Sequence, residues 1–64
     1  MNILKMREEK ELTQEELATK IEVDRSTIAK WENGISYPSM KNLLKLTEIF
    51  NCSLDELVRG SENG

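Results

Sequence analysis

The amino-acid sequence predicts an all-α domain of five short helices, and three observations carry that reading. Apolar residues recur at helical spacing, as Leu17, Ala18 and Ile21 do, and no stretch alternates as a half-buried strand would. A residue suited to capping a helix precedes each later apolar run: Thr13, Asp24, Ser39 and Ser53. The breakers fall between those runs, with Pro38 the only proline and Gly34 the only glycine before Gly60.

The first helix is expected over about residues 2–10, where Ile3, Leu4, Met6 and Lys10 fit one amphipathic pattern. Thr13 then opens a helix over about 14–21. With Glu16 three residues on, it has the form of a capping box, the hydroxyl taking the N3 amide and the carboxylate returning to the N-cap amide. Leu17, Ala18 and Ile21 are its buried side. After the break Glu22-Val23-Asp24, Asp24 is placed to cap a third helix from Arg25 to Glu32, which Asn33-Gly34 ends, Gly34 being free to take positive φ. Ser36-Tyr37-Pro38 reads as an extended loop. Ser39 caps a fourth helix, about 40–50, with Leu43, Leu44, Leu46, Thr47 and Phe50. Ser53, with Glu56 at N3, opens a fifth helix over Leu54 to Val58. One domain over 1–59 and a flexible tail over 60–64 follow from this division.

Composition narrows the function. The chain has 64 residues, 38% of them hydrophobic and 33% charged, which suits one small domain and leaves little room for a deep substrate pocket. There is no histidine, so the commonest general base and metal ligand are missing. Neither a metal cluster nor a nucleophile–base pair is legible, and no enzyme, metal or cofactor is expected. The single cysteine, Cys52, cannot close an internal disulfide, which points to a reducing compartment. The N-terminus is too polar for a signal peptide and no apolar run reaches the roughly 20 residues of a membrane span, so a cytoplasmic protein with no membrane partner is expected. The net charge of −3 argues against nucleic acid until its distribution is considered. Residues 1–12 and 13–45 each balance to zero; the whole excess lies in 46–64, where Arg59 faces Glu48, Asp55, Glu56 and Glu62. The first two thirds can still present a basic face.

The second and third helices, with about three residues between them, have the form of a helix-turn-helix. Ala18 is small enough to let the two helices approach, and Val23, Ile28 and Trp31 can fill the space between them. On the third helix Arg25, Ser26, Thr27 and Lys30 lie opposite Ile28 and Trp31. A helix start bearing Arg, Ser and Thr suits the major groove, because Arg pairs bidentately with guanine and the hydroxyls donate or accept.

In these residues the chain resembles the phage-repressor and Cro type of helix-turn-helix, the XRE family. The resemblance runs from Arg7-Glu8-Glu9-Lys10 through Leu12-Thr13-Gln14-Glu15-Glu16-Leu17-Ala18, Val23 to Gly34, Pro38-Ser39, Leu43 to Leu46 and Ser53 to Leu57, nearly the whole chain. It implies a five-helix, lambda-repressor-like domain that binds double-stranded DNA. Carried over residue by residue, it implies base contacts from Arg25, Ser26 and Lys30. Phosphate contacts fall to Gln14, Thr27, Asn33, Tyr37 and Lys41, with Gln14 also buttressing the start of the third helix. Arg7 and Glu32 resemble a pair joining the first helix to the end of the third. The family usually has glycine at positive φ where this chain has Glu11 and Glu22. Either the backbone differs there, or a strain of about 1–2 kcal/mol is accepted at each position.

Plainer readings compete at several positions. Trp31 belongs on the buried stripe and is core, not a base-stacking platform. Cys52 has no basic neighbour in sequence to activate it and reads as a half-buried loop residue. Glu15 and Glu16 are explained by capping and by favourable charge at a helix start, not as a catalytic pair. Arg25 and Lys30 would read as solvated charges but for the motif. The Arg7–Glu32 pair is either a surface ion pair worth under about 1 kcal/mol or a structural bridge.

The function that follows is a DNA-binding transcriptional regulator, a repressor acting as a homodimer on a palindromic operator. One short helix in one groove discriminates poorly, and two-fold pairing is the usual remedy. Phe50, Leu54, Leu57 and Val58 exceed what so short a last helix needs for its own core and are expected to make the dimer contact. The alternative is an antitoxin or protein-interaction module built on the same fold.

Overall fold

The computed structural model describes residues 1–59; the tail expected at 60–64 lies outside the described residues. Five helices follow in order: α1 Ile3–Glu9, α2 Gln14–Ile21, α3 Arg25–Glu32, α4 Met40–Phe50 and α5 Leu54–Arg59, with no strand among the described residues. None of these helices is long and apolar enough to cross a membrane.

The starts of α2 and α5 are capping boxes. The Glu16 amide donates to Thr13 Oγ1 at 3.0 Å and the Thr13 amide to Glu16 Oε1 at 2.8 Å. Ser53 and Glu56 repeat the exchange at 3.0 and 2.8 Å. Ser39 accepts from the Asn42 amide at the start of α4. Asp24 departs from expectation. Its backbone has the extended form of a cap, but its carboxylate accepts no hydrogen bond from α3. What remains to it is a favourable charge near the helix N-terminus.

Helices α1 to α4 all end in one way. In each, a residue at positive φ follows the helix, its amide bonds back three residues, and the next amide bonds back five. For α1 the residues are Glu11, whose amide donates to the Glu8 carbonyl, and Leu12, whose amide donates to Arg7. Glu22 and Val23 close α2 onto Thr19 and Ala18, Gly34 and Ile35 close α3 onto Trp31 and Lys30, and Asn51 and Cys52 close α4 onto Glu48 and Thr47. These are Schellman ends, which satisfy the last carbonyls while reversing the chain. The turning residues have φ of 58° at Glu11, 71° at Glu22, 73° at Gly34 and 53° at Asn51. The two glutamates thus keep the backbone that glycine would favour, and the strain is accepted.

The core comprises Ile3, Leu17, Ala18, Ile21, Ile28, Trp31, Leu46, Phe50 and Leu57, with Met6, Leu12, Val23, Leu43, Ile49 and Cys52 packed against it. Two expectations are corrected here. Leu57 is fully buried and Phe50 is 7% exposed, so neither has surface to offer a second copy. In a domain this small even a six-residue helix must close the core. The Asn2 amide donates to the Leu57 carbonyl at 3.0 Å, which ties the chain's start to α5. Leu54 and Val58 remain half-exposed beside a shallow apolar groove they share with Asp55 and Arg59.

Candidate nucleic-acid interface

The interface is built on α2, the turn and α3. Ala18 is buried where the two helices meet, and the reversal at Glu22 turns the chain within three residues. Ile28 and Trp31 are buried, which leaves Arg25, Ser26 and Lys30 exposed on the far side of α3. Thr27 is half-buried and presents less of its side chain than these three.

A chain of hydrogen bonds supports the start of α3. Arg7 Nε donates to Glu32 Oε2 at 2.6 Å and Arg7 Nη1 to the Leu12 carbonyl at 2.7 Å. Their side chains are 13% and 6% exposed, so the pair is largely withdrawn from water. Gln14 Nε2 donates to Glu32 Oε1 at 2.9 Å. Arg25 Nη1 in turn donates to Gln14 Oε1 at 3.1 Å. The ion pair thus joins α1 to the end of α3, and through Gln14 it reaches the first residue of α3.

The remaining candidates lie around that helix. Asn33 donates its side-chain amide to the Ala29 carbonyl at 2.9 Å and is exposed. Tyr37 and Lys41 are exposed in the following loop and first turn of α4. Lys45 has a role the sequence reading missed: its ammonium donates to the Ile21 carbonyl at 3.2 Å, closing the end of α2 from a different helix. A cation beside a helix C-terminus is the one signal that pointed there, and the pairing of α2 with α4 is needed to see it. Cys52 lies away from this surface, its thiol 3.7 Å from Met6 Sδ. Burial, and then the Glu56 carboxylate, push that thiol above its ordinary pKa, which makes it a poor nucleophile.

Helix, three-residue turn and helix with an exposed, polar outer face define a helix-turn-helix, and residues 3–57 match that family. The chain belongs to the helix-turn-helix family, of the XRE type that its sequence resembles. It is 44% identical over 57 residues to the HTH-type transcriptional activator BcrR of Enterococcus faecalis, covering 89% of this chain and 28% of that protein. It is 36% identical over 62 residues to the HTH-type transcriptional regulator YqaE of Bacillus subtilis, covering 97% and 53%. The cryptic phage CTXphi transcriptional repressor RstR of Vibrio cholerae is 35% identical over 57 residues, covering 89% and 51%. The chain thus spans from about a quarter to about half the length of these three relatives. No solved structure is significantly similar to it.

Proposed function

We propose that the chain is a sequence-specific, double-stranded DNA-binding transcriptional regulator that reads bases from the start of α3 and acts as a repressor. The carrying observation is the outer face of α3, where Arg25 is exposed yet held by Gln14. An arginine fixed at its base can present two donors to the O6 and N7 of one guanine. Ser26 and Lys30 reach neighbouring bases, and Gln14, Thr27, Asn33, Tyr37 and Lys41 hold phosphates. Occupying a promoter suffices for repression and needs no surface beyond this one. Two copies on a palindromic operator would supply the discrimination one helix lacks. The relatives' names include both an activator and a repressor, so a promoter–reporter assay is the direct test of sign: expression falls when a repressor is supplied.

Arg25→Ala tests the reading itself. It is expected to cost about 1–3 kcal/mol on the selected site and to relax preference at one base pair. Lys41→Ala is expected to weaken all duplexes alike and to reduce the salt slope by about one unit. Equal weakening of selected and random duplex by Arg25→Ala would remove α3 as the reader. A protein-interaction role, including that of an antitoxin, is favoured by one observation: Ile35, Tyr37, Met40 and Leu44 are large apolar residues more than half exposed. Absence of any salt-dependent duplex shift would favour that reading.

A further inference from the structure

The amide of Gln14 has only one sense that satisfies both its neighbours. Arginine has no acceptor and an ionised carboxylate has no donor. The Gln14 carbonyl must therefore face Arg25, and its NH2 must face Glu32, as their bonds of 3.1 and 2.9 Å require. Glu32 stands at the opposite end of α3 from Arg25, and its side chain is 6% exposed. We propose that Glu32 is a positioning residue for base reading: by accepting from Gln14 it turns the Gln14 oxygen toward Arg25 and holds that guanidinium ready for the groove. This inference rests on Arg25 reading a base.

Glu32 serves two residues with two oxygens: Oε2 accepts from Arg7 Nε at 2.6 Å, and Oε1 accepts from Gln14 at 2.9 Å and, at the longer distance of 3.5 Å, from Arg7 Nη2. Glu32→Gln leaves one oxygen, and the charged Arg7 takes it, since charge-assisted bonds are about twice as strong as neutral ones. The new NH2 then faces Gln14, whose amide must reverse to meet it. Its own NH2 now opposes Arg25, donor against donor, and Arg25 is released. Gln14→Glu in the same chain removes the conflict, because a carboxylate accepts from both sides. Arg7→Lys behaves differently. It loses the forked geometry and the bond to Leu12 but leaves Glu32 an acceptor for Gln14.

The test joins two measurements on these variants, the NMR order parameter of the Arg25 side chain in the free protein and discrimination between the selected duplex and one changed at the base pair that Arg25→Ala relaxes. Glu32→Gln is expected to lower the order parameter and to reduce discrimination by about three- to tenfold, the loss of one ordinary hydrogen bond. The double variant Gln14→Glu/Glu32→Gln should restore both, read as a ratio of affinities because the carboxylate at position 14 repels every duplex. Arg7→Lys should lower the melting temperature and leave both readouts unchanged. If Glu32→Gln does not fold, Glu32→Asp, which keeps the charge on Arg7 and draws it back from Gln14, should lower the Arg25 order parameter. An Arg25 that stays ordered in either Glu32 variant, or that loosens as much in Arg7→Lys, overturns the proposal. If order changes as expected but Arg25→Ala relaxes no base pair, the relay stands as a structural device and the reading of bases by Arg25 fails.

Discussion

Glu11 and Glu22 hold a left-handed backbone with φ of 58° and 71°, a conformation in which their Cβ crowds the following carbonyl. Replacing either with glycine relieves about 1–2 kcal/mol of strain, while the freer unfolded chain takes back about 0.4–1 kcal/mol. Each of Glu11→Gly and Glu22→Gly is therefore expected to be neutral to stabilising by about 1 kcal/mol, read from the urea midpoint. Gly34→Ala is the mirror experiment. A Cβ there meets nothing within 4 Å, so the expected loss is backbone strain less the same unfolded-chain contribution, a net of about 1 kcal/mol. A loss of about 1 kcal/mol in both glutamate variants would mean that their backbone is ordinary. Cys52 gives a second test. Its pKa is raised in the folded chain by burial and by Glu56, so folding favours the neutral thiol. That contribution is complete below the ordinary thiol pKa and is lost as pH rises through the folded value. Alkaline loss of stability should be shallower in Cys52→Ala than in the parent chain.

Each helix here is too short to persist alone, with lengths from 6 to 11 residues, and their ends and mutual contacts hold them. The Arg7–Glu32 pair is the main polar contact among them, joining α1, the Leu12 turn and both helices of the motif. With both side chains mostly withdrawn from water it differs from a surface ion pair, whose worth is under about 1 kcal/mol. Arg7→Ala leaves a buried carboxylate with Gln14 as its remaining partner, and is expected to cost about 1–3 kcal/mol. Thermal melts of Arg7→Ala and Glu32→Ala within error of the parent would reduce the bridge to a surface feature. The exposed Asp55–Arg59 pair on α5 is the internal control, since its loss should be nearly silent.

Across the whole molecule, the proposed reading face and the acidic end lie on different helices. Asp55 and Glu56 project from α5, while Arg25, Lys30 and Lys41 are exposed on α3 and the start of α4. Non-specific affinity should accordingly be weak, because α5 repels DNA wherever it is not held away. Pairing of two copies would meet both needs, multiplying specificity and fixing orientation. Phe50 and Leu57 are spent in the core, so we place the proposed contact on the half-exposed Leu54 and Val58. Val58→Lys adds a cation near the end of α5, where the helix dipole favours it, and sets two like charges against each other across a two-fold axis. Sedimentation of the parent chain with a palindromic duplex should show two copies bound, and of Val58→Lys one. A parent chain that is monomeric both free and on the full site removes the dimer.

All five helices were legible in the sequence within a residue or two, because their signals are local: Thr13 with Glu16, Ser53 with Glu56, Gly34 after Trp31, and apolar residues at helical spacing. The outward placing of Arg25 and Lys30 was legible too, since it is the complement of a buried Ile28 and Trp31. Packing alone decided the rest. Whether Phe50 and Leu57 served the core or a partner depended on how much apolar surface α1 and α2 left uncovered, a quantity no single segment carries. The sense of the Gln14 amide and the reach of Lys45 to Ile21 join residues 18 to 24 positions apart, set by helix crossings and not by spacing. Even Glu11 and Glu22 were local puzzles with a tertiary answer. Residue type left the backbone at both positions open, and the reversal between packed helices takes the left-handed form.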